Sequence, residues 1–329
     1  MIIGILDLIS KGEHLELSRE MTKWADQLIQ LIVKKVEQEM GFDGNAFSII
    51  GLGKMGGEDL TFGSDFDLIF VYVDDESITK DKSLKKLNSL DFNSMCHLVE
   101  KSVQEIQSTL GQVDLRLRPE GNKGALALTP QSFKEYFENR ASFWERLAWM
   151  KGRYVAGNKK LAQKVLGYAE KFVYGTPVTA KTAKEFYSMR LRMQKNLKTE
   201  KEQKADIKVG TGGLADIEFT LQYLLMKYGY KEKMLRVHNL QDGLKKLQKK
   251  RKVNPKSFKI LQENYLFFTL FQNRLRLMSN FSNNLIPESE IELRAITRLM
   301  NFSNSKELLD TYSAKANLNR KLFREIVKV

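Results

Sequence analysis

Two apolar segments separated by a short glycine-rich stretch constrain the fold of this chain more than any other feature. AFSIIGLG and DLIFVYVD are rich in β-branched and aromatic residues, which is typical of buried strands. Only about ten residues separate Gly56 from the second segment, whereas a parallel crossover with its helix needs roughly a dozen. We therefore expect the two strands to be joined by a tight turn or loop.

The first half of the connection resembles a dinucleotide-binding loop, because Gly51, Gly53 and Gly56 spell G-x-G-x-x-G. In that fold the glycine turn opens a helix whose N-terminal amides bind the pyrophosphate. A crossover helix does not fit between these strands, and the acidic residues of the stretch would repel a diphosphate. The dinucleotide interpretation is therefore not favoured.

The second half, GSDFD, is typical of a metal site. Asp65 and Asp67 stand two positions apart in an extended segment, so their side chains share one face. Carboxylates so placed suit Mg²⁺, because Mg²⁺ binds carboxylates together with substrate phosphates. Mn²⁺ is an alternative. Gly63 and Ser64 just upstream allow the backbone and a hydroxyl to approach those phosphates. For either aspartate alone, a polar turn before a strand is the plain alternative.

A third carboxylate is expected from the segment QVDLRLRP, which alternates strictly over residues 112–119 and predicts a strand. In such a strand Asp114, Arg116 and Arg118 share the face opposite the apolar residues. Asp114 can complete a two-metal site, and the two arginines can neutralise a triphosphate. A surface acid paired with an arginine is the alternative for Asp114.

The rest of the chain predicts an α+β protein, with a small mixed sheet and flanking helices followed by an all-helical bundle domain. The proposed domains are 1–155, with the sheet and an N-terminal helix, and 156–329, helical; the family resemblance given below implies that the first is catalytic and that the second lies on the side of the substrate. ALALTP predicts a fourth strand, and after about residue 131 strand signals stop, so SFKEYFENRASFWERLAWMKGRYVAG is interpreted as one or two helices. The other predicted helices cover 15–40, 82–110, 159–174, 178–199, 214–229, 240–252, 257–279, 288–300 and 305–327.

Charge and composition limit the partners. The net charge of +14 fits a polyanionic partner or simply solvated basic helix faces. The densest basic run, KKLQKKRKVNPK, has no aromatic stacking platform, so nucleic acid is not favoured. A single cysteine and no apolar run near the roughly 20 residues of a membrane span predict a cytoplasmic protein that does not enter a membrane. MIIGILDLIS is interpreted as the end of a core helix.

G-S-D-x-D after a glycine turn resembles the nucleotidyltransferase superfamily of the DNA polymerase β type. Four segments narrow the resemblance to the bacterial glutamine synthetase adenylyltransferases: GLGKMGGEDLTFGSDFDLIFVY, VDLRLRPEGNKGAL, SFWERLAWMKGRYVAG and IKVGTGGLADIEFTLQYLL. Members of that family usually carry two catalytic halves, one that attaches AMP to glutamine synthetase and one that removes it by phosphorolysis. This chain resembles a single half, and its later segments are more similar to the attaching one.

The resemblance implies that Asp65 and Asp67 are the metal pair and Asp114 the third carboxylate, which also helps to deprotonate the acceptor. Lys151 and Arg153 recur in the family motif, which implies nucleotide contacts. The implied reaction is attack by a tyrosine hydroxyl of glutamine synthetase on the α-phosphate of ATP, with release of pyrophosphate. A nitrogen-signalling regulatory protein is a further partner that the family suggests. Phosphorolytic removal of AMP, nucleotide transfer to RNA, and docking without catalysis stay open as alternatives.

A glycine loop, GTGGLADIEF, precedes one of the predicted helices. Asp216 and Glu218 lie early in that helix, where acids are expected from the helix dipole alone. The resemblance suggests instead a role in shaping the substrate cleft, and both interpretations stay open.

Overall fold

The computed structural model describes residues 14–42, 47–76, 89–197, 199–278 and 284–327. The chain forms two compact units, which are described separately below. The sheet unit holds Ser18–Leu60 and Ser64–Thr176. The helical unit begins at Pro177 and also includes two short segments, one ending at Leu17 and the other Thr61–Gly63. The functional division predicted after residue 155 stays a prediction.

The sheet unit is built on a mixed five-stranded sheet in the order β3-β2-β1-β5, with β4 paired to β2. β1 runs antiparallel to both β2 and β5, whereas β3 and β4 run parallel to β2. The antiparallel pairing of β1 with β2 confirms that a turn or loop, and not a parallel crossover, joins the two strands, as expected from the sequence. The strands are β1 (Phe47–Gly51), β2 (Phe66–Tyr72), β3 (Val113–Asp114), β4 (Ala127–Leu128) and β5 (Arg153–Gly157).

Helices flank this sheet, and the longest presents an apolar stripe to it. Ile29, Val33 and Val36 of α1 are buried in one cluster with Phe47 and Phe70, because they recur at helical spacing along one face. The first turn of α1 belongs to the helical unit. The helices of this part of the chain are α1 (His14–Glu39), α2 (Gly53–Gly56), α3 (Phe92–Thr109), α4 (Pro130–Asn139), α5 (Phe143–Trp149) and α6 (Lys159–Tyr174).

The prediction of a strand over residues 112–119 is wrong after Asp114, where β3 ends. The chain then turns: the amide of Arg118 donates to the carbonyl of Leu115 at 3.2 Å, and the amide of Gly121 donates to the carbonyl of Arg118 at 2.8 Å. Glu120 has a φ of 63°, which is incompatible with a continuing strand. Arg116 and Arg118 therefore lie in a turn and do not extend the face of Asp114 by alternation.

A second correction concerns β5, because strand signals do not stop near residue 131. RYVAG, interpreted as the end of a helix, is a strand that pairs with β1. Its aromatic and β-branched residues stand between Gly152 and Gly157, a pattern that favours a strand once the helix is allowed to end. The preceding segment forms the two helices α4 and α5, as expected.

The helical unit consists of helices that the sequence predicted to within a few residues, except for the short α8. The part of the predicted helix 82–110 before residue 89 and the segment MIIGILDLIS lie outside the described residues. In the described part of the chain, none of the helices combines the length and apolar character needed to cross a membrane. The helices are α7 (Ala180–Lys195), α8 (Glu200–Ala205), α9 (Leu214–Gly229), α10 (Leu240–Lys249), α11 (Pro255–Met278), α12 (Glu290–Leu299) and α13 (Ser305–Val327).

Candidate active site

Two of the predicted carboxylates lie side by side in the sheet. Asp67 of β2 and Asp114 of β3 are register partners on neighbouring parallel strands. Side chains at paired positions of adjacent strands point to the same face, so both carboxylates share it. The amide of Phe66 donates to the carbonyl of Gln112 at 2.8 Å, the regular parallel bond of the first pair in this ladder, Phe66 with Val113. Asp65 itself is exposed directly before β2.

The glycine turn after β1 lies against the first of these carboxylates. A Cβ on Gly53 would stand 1.9 Å from Oδ2 of Asp67, and Gly53 has a φ of +51°. The amide of Leu52 also donates to the carbonyl of Asp67 at 2.9 Å. The glycine therefore makes room for the Asp67 carboxylate. Gly53 begins the single helical turn α2, and no crossover helix lies between β1 and β2, as the sequence interpretation expected.

Arg116 holds the third carboxylate. Its Nε donates to Oδ1 and Oδ2 of Asp114 at 3.0 and 2.9 Å, and its Nη2 donates to Oδ2 at 2.6 Å. These hydrogen bonds hold the pKa of Asp114 below its usual range, which makes the carboxylate a weaker base while Arg116 is bound. The side chain of Arg116 is 70% exposed and that of Asp114 only 12%. Arg116 therefore already lies mostly in solvent and can turn away from Asp114.

The guanidinium of Arg116 is within electrostatic reach of all three carboxylates. Its pKa is raised first by its hydrogen bonds to Asp114, and the charges of Asp65 and Asp67 add to this. Among the described residues, however, His, Cys, Asp and Glu side chains nowhere gather in threes closely enough to hold a metal ion. Carboxylate oxygens are the donors that a hard cation prefers, so the chemistry of this set, though not its present spacing, suits such an ion. The metal assignment stays a prediction.

The predicted phosphate contacts have different surroundings. Arg118 donates from Nε to the carbonyl of Gly124 at 3.2 Å and from Nη1 to that of Leu115 at 2.9 Å. It therefore closes its own loop, and its burial lowers its pKa. Ser64 is half-buried directly before Asp65. Gly63 belongs to the helical unit, is exposed and has a φ of +67°. Their assignments to the phosphates stay predictions.

Lys151 and Arg153 lie at the start of β5, and both are engaged with carboxylates of the sheet unit. Nζ of Lys151 stands 3.7 Å from Oδ2 of Asp59, and both side chains are largely buried. Nη1 and Nη2 of Arg153 donate to the two oxygens of Asp26 at 2.7 and 3.0 Å. These ion pairs do not test the predicted contact of Lys151 and Arg153 with a nucleotide, which stays a prediction.

Two residues of this region were missed by the sequence analysis. Asp26 lies on α1, 127 positions from its partner Arg153, so no local pattern connects them. Tyr136 of α4 donates its hydroxyl to Glu145 at 2.7 Å and accepts the amide of Glu120 at 3.3 Å, which fixes the turn that follows β3. Burial, before any other cause, raises the pKa of Tyr136 to about 12. An aromatic residue in an amphipathic helix gives no signal of such a contact.

In the helical unit, Asp216 is part of a buried charge cluster. Its Oδ1 lies 2.5 Å from Nε of Arg190 on α7, and its Oδ2 lies 2.7 Å from Nε of Arg320 on α13. The amide of Gly212 donates to Oδ2 at 3.0 Å, so the carboxylate also holds the glycine loop. Neither Asp216 nor Arg190 has exposed side-chain surface. Asp216 thus does more than compensate a helix dipole, because it joins two helices and a loop.

Comparison with known proteins agrees with this architecture. Residues 1–168 match the family model for glutamate–ammonia ligase adenylyltransferase, and residues 182–328 match that for GlnD PII-uridylyltransferase. Relatives named bifunctional glutamine synthetase adenylyltransferase/adenylyl-removing enzyme include proteins of Bifidobacterium longum, 30% identical over 83% of this chain, and Corynebacterium diphtheriae, 27% identical over 85%. A third, from Stenotrophomonas maltophilia, is 30% identical over 75%.

The chain is much shorter than these relatives. It spans 25% of the Bifidobacterium protein and 26% of the other two. The family model for the adenylyltransferase covers the glycine turn, both strands that carry Asp67 and Asp114, and the start of β5. On that match, the chain belongs to the glutamate–ammonia ligase adenylyltransferase family.

Proposed function

We propose that this chain is a Mg²⁺-dependent adenylyltransferase that moves AMP from ATP to a tyrosine hydroxyl of glutamine synthetase and so regulates nitrogen assimilation. The observation that supports the proposal is the register pairing of Asp67 with Asp114 on adjacent parallel strands, with Asp65 directly before the first residue of β2. The names of the relatives supply the acceptor protein.

In the proposed reaction the phenol oxygen forms a bond to the α-phosphorus, and the bond from that phosphorus to the oxygen bridging the α- and β-phosphates breaks. Pyrophosphate leaves, and the phenol proton passes to a base or to solvent. A divalent ion bound to the carboxylates would neutralise the developing charge on the phosphate oxygens. The protein contributes position and charge rather than a covalent intermediate.

The residues of the chain have distinct parts in this proposal. Asp65, Asp67 and Asp114 would hold the ion, and Arg116 would turn from Asp114 to the triphosphate with the ion in place. The exposed side chain of Arg116 supports this movement, because nothing buried has to be opened for it. Ser64, directly before Asp65, would lie beside the phosphates.

A second candidate is removal of AMP from modified glutamine synthetase, with inorganic phosphate as the attacking group. The names of the relatives support this second candidate, since they include an adenylyl-removing enzyme. Both reactions need the same ion and the same three carboxylates. They differ in which oxygen attacks the phosphorus.

The test is intact-mass measurement of glutamine synthetase after incubation with the chain, ATP and Mg²⁺. The proposal expects each modified subunit to gain one adenylyl group, and no gain when a chelator removes the ion. A parallel incubation of AMP-modified glutamine synthetase with phosphate measures removal. No mass change in the first incubation would refute the adenylyltransferase proposal, and a change only in the second would assign the chain to removal.

A further inference from the structure

Arg153 and Asp26 form a two-point ion pair between β5 and α1. The side chains are only 14% and 18% exposed, and the guanidinium uses Nη1 and Nη2 on the two carboxylate oxygens at 2.7 and 3.0 Å. A fork of this kind fixes the orientation of the guanidinium as well as its distance. Asp26 therefore determines where Arg153 points.

The same guanidinium reaches the glycine turn. Nη2 of Arg153 also donates to the carbonyl of Met55 at 2.9 Å. Met55 is fully buried in the single helical turn α2. Arg153 thus ties that turn to β5 from one side.

The other side of the turn lies against Asp67, one of the predicted metal ligands. Gly53, two residues before Met55, lies so close to Asp67 that a Cβ would stand 1.9 Å from Oδ2 and 2.7 Å from Cγ. A shift of the turn would therefore push against the Asp67 carboxylate or leave it unsupported. Since Asp67 is the register partner of Asp114, the spacing of the carboxylate pair depends on the turn.

We infer that Asp26 and Arg153 are positioning residues for nucleotidyl transfer: together they hold the glycine turn at the place that orients the Asp67 carboxylate. The inference rests on the proposed function for its catalytic consequence. It gives Arg153 a role through the turn, because Nη1 and Nη2 both donate within the sheet unit. It also assigns a role to α1, which carries none of the predicted site residues.

The experiment compares Asp26→Asn with Gln30→Ala in the full chain. Gln30 is a matched control, because its Nε2 donates to the carbonyl of Val155 at 2.9 Å and so joins the same helix to the same strand without touching the turn. The first readout is hydrogen exchange at the amides of Gly56, Gly57 and Asp59, all of which donate within the turn. Asp26→Asn should speed the exchange of these amides about tenfold or more relative to Gln30→Ala. Without the ion pair, local opening of the turn costs less free energy and is more frequent.

The second readout is steady-state AMP transfer. Asp26→Asn should lower kcat about ten- to a hundredfold with the KM for ATP little changed, since a misplaced catalytic group costs rate more than binding. Adding Arg153→Gln to Asp26→Asn should lower kcat no further. If Asp26→Asn does not fold, Arg153→Lys, which loses the fork but keeps the charge, takes its place.

Equal exchange in Asp26→Asn and Gln30→Ala would overturn the inference, as would an unchanged kcat or additive effects of the two substitutions. The exchange readout needs no activity. A wild-type chain that transfers no AMP would therefore refute the proposed function, while the exchange rates still decide whether Asp26 and Arg153 hold the turn.

Discussion

Gly53 lies against Asp67 so closely that any side chain larger than hydrogen would collide with the carboxylate, since a Cβ would be 1.9 Å from Oδ2. The contact explains why the turn after β1 has glycine at this position. It also connects the G-x-G-x-x-G pattern with the aspartates that follow it. Within that pattern, Gly53 makes room for Asp67, whereas Gly51 and Gly56 lie against Met55 and the carbonyl of Lys151.

Gly53→Ala should abolish most AMP transfer, a loss of about a hundredfold, because the Asp67 carboxylate must move away from its partner Asp114. Gly41→Ala is the control: Gly41 also has a positive φ, +77°, but a Cβ there would meet nothing within 4 Å. Gly41→Ala should lose about 1–2 kcal/mol of stability from backbone strain, and Gly53→Ala at least as much, because its Cβ must also displace the Asp67 carboxylate. Urea unfolding measures both losses, and only Gly53→Ala should lose activity. Equal activities would contradict the account.

Arg116→Gln should strengthen binding of Mn²⁺ in the absence of nucleotide, because the guanidinium no longer competes for Asp114. The gain should be about fivefold or less, the size expected of an exposed ion pair worth up to ~1 kcal/mol. Calorimetric titration measures it. Arg140→Gln removes another exposed arginine, paired with Glu120 in the following turn, and should leave the affinity unchanged. Weaker binding by Arg116→Gln would show that Arg116 does not oppose the ion.

The buried cluster of the helical unit predicts a large stability effect. Asp216→Asn removes the charge that two buried arginines share, so the free energy of unfolding should fall by about 3–5 kcal/mol. Glu290→Gln breaks an exposed pair with Arg294 on α12 and should change it little. Urea unfolding followed by circular dichroism compares the two. Similar midpoints would contradict a structural role for Asp216.

Tyr136 predicts a pH dependence of stability. Its pKa in the folded protein is about 12, above the ordinary value of 10.0, so its contribution is fully present below pH 10 and is lost as the pH rises towards 12. Wild type should therefore exceed Tyr136→Phe in urea midpoint at about pH 9, and the difference should shrink at about pH 11.5. A difference that is constant with pH would mean that the Tyr136 hydroxyl is not held protonated by the fold.

Local patterns predicted most of the fold. The helices are long and strongly periodic, and β1 and β2 are short apolar runs bounded by turn residues, so neighbouring residues determine them. β3 was predicted too long because alternation cannot show that the backbone turns at Leu115, where hydrogen bonds from Arg118 and the contact of Glu120 with Tyr136 replace the ladder. β5 was missed because five residues after a helix carry too little signal.

The candidate site was predictable only in part for the same reason. Residue type and spacing single out Asp65, Asp67 and Asp114. The ion pair of Asp26 with Arg153 joins residues 127 positions apart, and only the folded sheet brings them together. A search of the sequence for family motifs singles out Arg153 but not the carboxylate that orients it.

The central claim is that Asp67 and Asp114 act as one unit in nucleotidyl transfer. Single-turnover AMP transfer to glutamine synthetase, measured for wild type, Asp67→Asn, Asp114→Asn and the double variant, tests it most directly. The account predicts that each single substitution removes nearly all of the rate and that the double variant is no slower than either. Substantial transfer by either single variant, or a double variant slower by the product of the two effects, would contradict it.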